Sequence, residues 1–173
     1  MPGTVEKRAV ILLIEDDETD VFFLRRALNS LGFTGDVRVV VNAWQARDYM
    51  EGRGAYSDRT YFWTPNLVLC DLHMPGATGL DFLKWLRDHP LFQHIPLVIW
   101  SGSLTVVAAN GLLQAGANAC VLKTPDFKKL CANVQAMLHH LHPSTDGASV
   151  PAAALSVNSL AEAQLAQAPE LPG

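Results

Sequence analysis

From residue 9 to about residue 141, short apolar runs alternate with amphipathic stretches, and this alternation narrows the fold more than any other feature of the chain. Residues 9–14 (AVILLI) are continuously apolar, the pattern of a strand covered on both faces. Asp17-Glu18-Thr19-Asp20 then supplies helix-start residues, Val21, Leu24, Leu28 and Leu31 recur at helical spacing, and Gly32 is the stop. Residues 36–41 (DVRVVV) predict a second strand and residues 43–50 a second helix, closed by Gly52 and Gly54. A long connection rich in glycine and aromatics follows at 51–65. Strands are then expected at 67–70, 97–100 and 119–122, and helices at 79–89, 105–115 and 126–141, the fourth weakened by Gly111. Five strands alternating with five helices predict an α/β domain, a parallel sheet with helices on both faces and right-handed crossovers.

Polar residues follow four of the five strands: Glu15-Asp16-Asp17, then Asp71, Ser101 and Lys123. In an open parallel sheet these positions share the carboxyl edge, where such folds bind ligands. Three carboxylates brought together repel one another unless a cation lies between them. An oxygen-only donor set, without a His/Cys cluster, points to Mg²⁺ rather than zinc. Carboxylates, a divalent cation, a lysine and a hydroxyl together suit a phosphoryl group, and a carboxylate can itself be the nucleophile. Asp71, alone after a central strand, is the candidate. Singly, each residue has a plainer explanation: Asp17, Glu18 or Asp20 as helix caps, Asp71 as a turn residue, Lys123 as a solvated charge. Their joint placement at one edge favours chemistry.

With these residues in view, the chain resembles a two-component response-regulator receiver domain: ILLIEDD, LVLCDLHMPGATGLDFL, PLVIWSGS and GANACVLKTP stand in the family's order and spacing. The resemblance implies a flavodoxin-like, doubly wound sheet of strand order 2-1-3-4-5 over residues 8–142. It implies phosphorylation of Asp71 by a sensor histidine kinase or phosphotransfer protein, with Mg²⁺ held by Glu15, Asp16, Asp71 and the backbone carbonyl of His73. Ser101 matches the hydroxyl that moves toward the phosphoryl group and Lys123 its salt-bridge partner. The start ILLIEDD-x-x-D and the 51–65 insertion resemble single-domain regulators paired with bacterial phytochromes, which implies a homodimer through the face of the fourth helix, fifth strand and fifth helix.

The pattern also departs from the family. Thr124 separates Lys123 from Pro125, which puts the reach of Lys123 in question. Cys120 stands where a rotating aromatic is usual, leaving Trp100 as a substitute. Both departures keep a rival open, a pseudo-receiver that binds partners without being phosphorylated. A haloacid-dehalogenase-type hydrolase ranks below it, because no cap-sized insertion is visible. The expected role is a phospho-acceptor signalling protein rather than an enzyme acting on a separate substrate.

A formal charge of −4 argues against nucleic acid as a direct partner. No run reaches membrane-spanning length, so a cytoplasmic protein with no membrane association is expected. Cys70, Cys120 and Cys131 lack metal-ligand spacing and are expected as free, mostly buried thiols. Residues 143–173 contain no Lys or Arg and are rich in Ala and Pro, predicting a tail outside the domain. Ser159 to Glu162 within it fits a capping box before a short helix.

Overall fold

The computed structural model describes residues 9–141. The tail and its expected short helix lie outside the described residues. The elements are β1 (Val10–Ile14), α1 (Glu18–Ser30), β2 (Asp36–Val40), α2 (Ala43–Glu51), β3 (Leu67–Cys70), α3 (Gly79–Asp88), β4 (Leu97–Ser101), α4 (Val106–Gln114), β5 (Ala119–Leu122) and α5 (Phe127–Leu138). All pairings are parallel, and the strand order is β2-β1-β3-β4-β5. The expected flavodoxin-like fold is therefore the observed one.

Burial explains the sequence pattern. Every residue of β1, β3 and β4 is buried, whereas β2, at one edge of the sheet, is largely half-buried. Successive strand residues point to opposite faces. Ile11 and Leu13 accordingly pack with Leu24 and Leu28 of α1 and with Leu130 and Val134 of α5. Leu12 and Ile14 pack on the other face with Tyr49 of α2, Phe82 of α3 and Leu112 of α4. Burying each such large side chain contributes about 1.5–3 kcal/mol.

Caps set the helix boundaries. Asp17 accepts from the amides of Thr19 and Asp20 at the start of α1, and Thr78 with Asp81 forms a capping box on α3. The last predicted helix extends too far: α5 stops at Leu138 and gives way to a 3-10 turn, His139–Leu141. The apolar stripe continued to Leu141, but periodicity does not distinguish the tighter turn. Similarly, Ser101 is the last residue of β4 rather than the first after it.

The 51–65 connection is ordered by its own side chains. It opens with a 3-10 turn, Gly54–Tyr56, and Tyr56 and Phe62 close on Tyr49 at ring-centroid distances of 5.3 and 5.9 Å. Arg59 Nη1 donates to the Tyr49 carbonyl at 2.7 Å, and the Arg38 guanidinium lies 4.4 Å over the Tyr61 ring.

Candidate functional site

The strand ends are stitched together at the carboxyl edge. The Glu15 amide donates to the Val40 carbonyl, the Asp71 amide to the Ile14 carbonyl and the Lys123 amide to the Ser101 carbonyl, at 2.9, 3.0 and 2.8 Å. These bonds bring residues from four chain segments into one pocket. Glu15 is 2% exposed and Asp71 5%, Ser101 is fully buried, and Asp16 is exposed at the rim.

Carboxylate oxygens of Glu15, Asp16 and Asp71 lie within 4.8 Å of one another. Lys123 crosses to them despite the intervening Thr124. Its Nζ is 2.6 Å from Glu15 Oε2, 2.7 Å from Asp20 Oδ2 and 3.2 Å from Asp71 Oδ1. The Thr124 insertion is absorbed in the loop, where its hydroxyl accepts from the Asp126 amide at 3.2 Å and Asp126 caps α5. Lys123 thus reaches Asp71.

Electrostatics follows from burial and pairing. Burial pushes the Glu15 carboxyl above the usual glutamate range, against the opposing pull of Lys123. For Lys123, burial acts to lower the pKa, but hydrogen bonds to Asp20 and Glu15 outweigh it and hold the ammonium charged. Its Nζ also lies 5.0 Å from the centroid of the buried Trp100 ring.

The β3–α3 loop presents Asp71. The His73 amide donates to Asp71 Oδ2 at 2.9 Å, fixing the carboxylate's rotation. Gly76 adopts φ +88°, a conformation that favours glycine. A Cβ at Gly79 would sit 2.4 Å from the Asp71 carbonyl oxygen, so α3 can begin against the end of β3 only with glycine there. The spacing of DLHMPG-x-x-G therefore has a steric origin.

Ser101 lies within the edge, but its hydroxyl donates to the Ser103 carbonyl at 3.1 Å rather than toward Asp71. His73 is exposed, and its backbone amide is the atom that touches Asp71. Cys120 is buried beneath α4, with Sγ 3.8 Å from the Ala109 carbonyl. One residue of the site is not among those the sequence singles out. Of the three acids with a plainer reading as caps, Asp17, Glu18 and Asp20, the cap is Asp17, and Asp20 instead binds Lys123. Asp20, the last acid of ILLIEDD-x-x-D, stands four residues beyond Asp16, and that spacing was the available signal.

Three carboxylate oxygens, two of them from nearly buried residues and with no nitrogen or sulfur donor among them, fit a hard divalent cation such as Mg²⁺. The ion would be held by Glu15, Asp16 and Asp71.

The family model "Response regulator receiver domain" matches residues 11–135. Response regulator Rcp1 of Synechocystis sp. is 25% identical over 126 residues, covering 73% of this chain and 84% of that protein. The phosphodiesterase regA of Dictyostelium discoideum is 35% identical over 124 residues, which are 69% of this chain but only 14% of that protein. The solved bacteriophytochrome response regulator RtBRR superposes with a TM-score of 0.66 at 28% identity, covering 92% of this chain and 93% of its own. No described helix is long and apolar enough to cross a membrane.

Proposed function

The chain belongs to the response regulator receiver domain family, and we propose on that basis that Asp71 accepts a phosphoryl group from a sensor histidine kinase or phosphotransfer protein in a Mg²⁺-dependent reaction. The observation that carries this reading is the meeting of Glu15, Asp16 and Asp71 within 4.8 Å, with Lys123 Nζ 3.2 Å from the Asp71 carboxylate. An Asp71 oxygen attacks phosphorus, the bond from phosphorus to the donor nitrogen or oxygen breaks, and an aspartyl-phosphate forms. Mg²⁺ held by the three carboxylates would neutralise charge on the transferring group. Lys123 contributes a second fixed positive charge beside the same oxygen. The His73 amide keeps the carboxylate in its attacking orientation.

After transfer, Ser101 and Lys123 are the residues that turn to the new phosphoryl oxygens. Ser101 must exchange its bond to the Ser103 carbonyl to do so. That exchange moves the loop into α4, and the signal passes on through protein contacts. Dimerisation through the α4–β5–α5 face belongs to this reading; Val107 of α4 is 82% exposed. Similarity to RtBRR supports a phytochrome-type kinase as donor.

Intact mass after incubation with Mg²⁺ and a small phosphodonor tests the reading. One adduct of about 80 Da, the mass of HPO₃, should form on wild type and be absent from Asp71→Asn. No adduct on folded wild type, or an equal one on the variant, sinks it.

A further inference from the structure

We propose that Asp20 is a positioning residue, which holds the Lys123 ammonium in the resting site and retains it there when a divalent cation claims Glu15 and Asp71. The proposal rests on the Mg²⁺-dependent acceptor reading. Lys123 has three N–H donors and three carboxylate neighbours: Glu15 at 2.6 Å, Asp20 at 2.7 Å and Asp71 at 3.2 Å. Two of those neighbours also belong to the triad that fits the cation; Asp20 does not. An arriving cation therefore competes with the ammonium for Glu15 and Asp71 and also repels it. Asp20 leaves the ammonium one charged partner inside the site.

Two observations separate this from an ordinary acid in a first helical turn, which needs no side-chain partner. The Asp20 carboxylate is two-thirds buried and turned to a residue 103 positions away, at a distance shorter than that from Lys123 to Asp71. The Trp100 ring, 5.0 Å from Nζ, blocks another direction of escape. The ammonium thus has a held position, supplied by α1, from which it can return to Asp71 once a phosphoryl group is in place.

Mg²⁺ titration of wild type, Asp20→Asn, Lys123→Met and the double variant, by calorimetry, provides the test. Asp20→Asn should weaken Mg²⁺ binding about threefold to tenfold while Lys123 is present, but less than about twofold in the Lys123→Met background, a coupling expected of side chains in contact. Equal weakening in both backgrounds would make Asp20 a plain charge and overturn the proposal. Lys123→Met leaves carboxylates uncompensated, so a second measurement uses Asp20→Asn alone. In Mg²⁺-saturated wild type the Lys123 side-chain ammonium should give an NMR signal protected from solvent exchange, and in the variant that protection should be lost. Retained protection overturns the proposal. Wild type that binds no Mg²⁺ removes the acceptor reading itself, an outcome distinct from Mg²⁺ binding that is indifferent to Asp20.

Discussion

Asp71→Asn should make the metal-free protein more stable while abolishing its acceptor chemistry. Asp71 faces two further carboxylates within 4.8 Å. At an effective permittivity of about 20, a unit charge 4.8 Å away repels Asp71 by about 3.5 kcal/mol, which applies to the buried Glu15, while the exposed Asp16 is screened by water to about 1 kcal/mol. Lys123 at 3.2 Å returns about 5 kcal/mol on the same scale. The pair terms nearly cancel, and what remains is the desolvation of a carboxylate in a residue only 5% exposed, a net burden on the order of 2 kcal/mol once the Lys123 and His73 contacts are counted. Asparagine removes that charge and can still accept from the His73 amide. Urea unfolding in EDTA at low ionic strength is the assay. With a slope of about 1–3 kcal/mol per molar, the midpoint should rise by about 1 M. Saturating Mg²⁺ should then raise the wild-type midpoint and narrow the gap, because a ligand at a hundredfold its dissociation constant adds about 2.7 kcal/mol. A variant equal to or weaker than wild type in EDTA would mean that Lys123 and the His73 amide fully offset the burial of the carboxylate, and the prediction would fail.

Other regions give separate tests. Gly79→Ala forces a Cβ to within 2.4 Å of the Asp71 carbonyl oxygen; it should lower stability by about 1–3 kcal/mol and slow adduct formation, read by thermal unfolding and by mass. Arg87 donates to the Gly116, Gln93 and Ile95 carbonyls and to Asn118 Oδ1 at 2.8–3.0 Å, all where β4 and β5 begin. Arg87→Met should cost about 3 kcal/mol in urea unfolding yet leave the phosphorylation rate unchanged; a slowed rate would show that the two edges of the sheet are coupled. Burial pushes the Cys120 thiol from 9.0 up to about 11. The native state then keeps a proton that the unfolded chain releases, so this contribution to stability is complete below pH 9.0 and lost as pH rises through about 11. Cys120→Ala should flatten the alkaline decline over that window, and an unchanged slope would contradict the assignment.

The sheet was legible because β1, β3 and β4 are buried on both faces and read as unbroken apolar runs. Their polar stops marked the carboxyl edge directly, which is why Glu15, Asp16, Asp71 and Lys123 could be grouped without coordinates. Three things were less legible. Asp20 resembles a cap because acids favour first turns; only the crossing of the chain shows Lys123 opposite it. The reach of Lys123 past Thr124 depends on the Asp126 cap that folds the loop, a tertiary property. The 51–65 connection read as irregular because its order comes from rings and guanidinium groups meeting across sequence, with no period to detect.

The Lys123 pairs with Glu15 and Asp20 join residues 108 and 103 positions apart, so nearly the whole domain separates the two sides of the pocket. Contacts of such long sequence separation carry a large loop-closure entropy and form late in folding unless intervening structure brings the ends together. β1 pairs with β2 and β3, but the pocket lacks its lysine until β5 docks on β4. A collapsed intermediate missing β5 would carry the acids without their counter-ion and could not adopt the signalling geometry. Under the proposed acceptor function, the site thereby becomes a checkpoint on completed folding: a domain truncated before β5 would stay silent, and only molecules that have closed the sheet would accept a phosphoryl group.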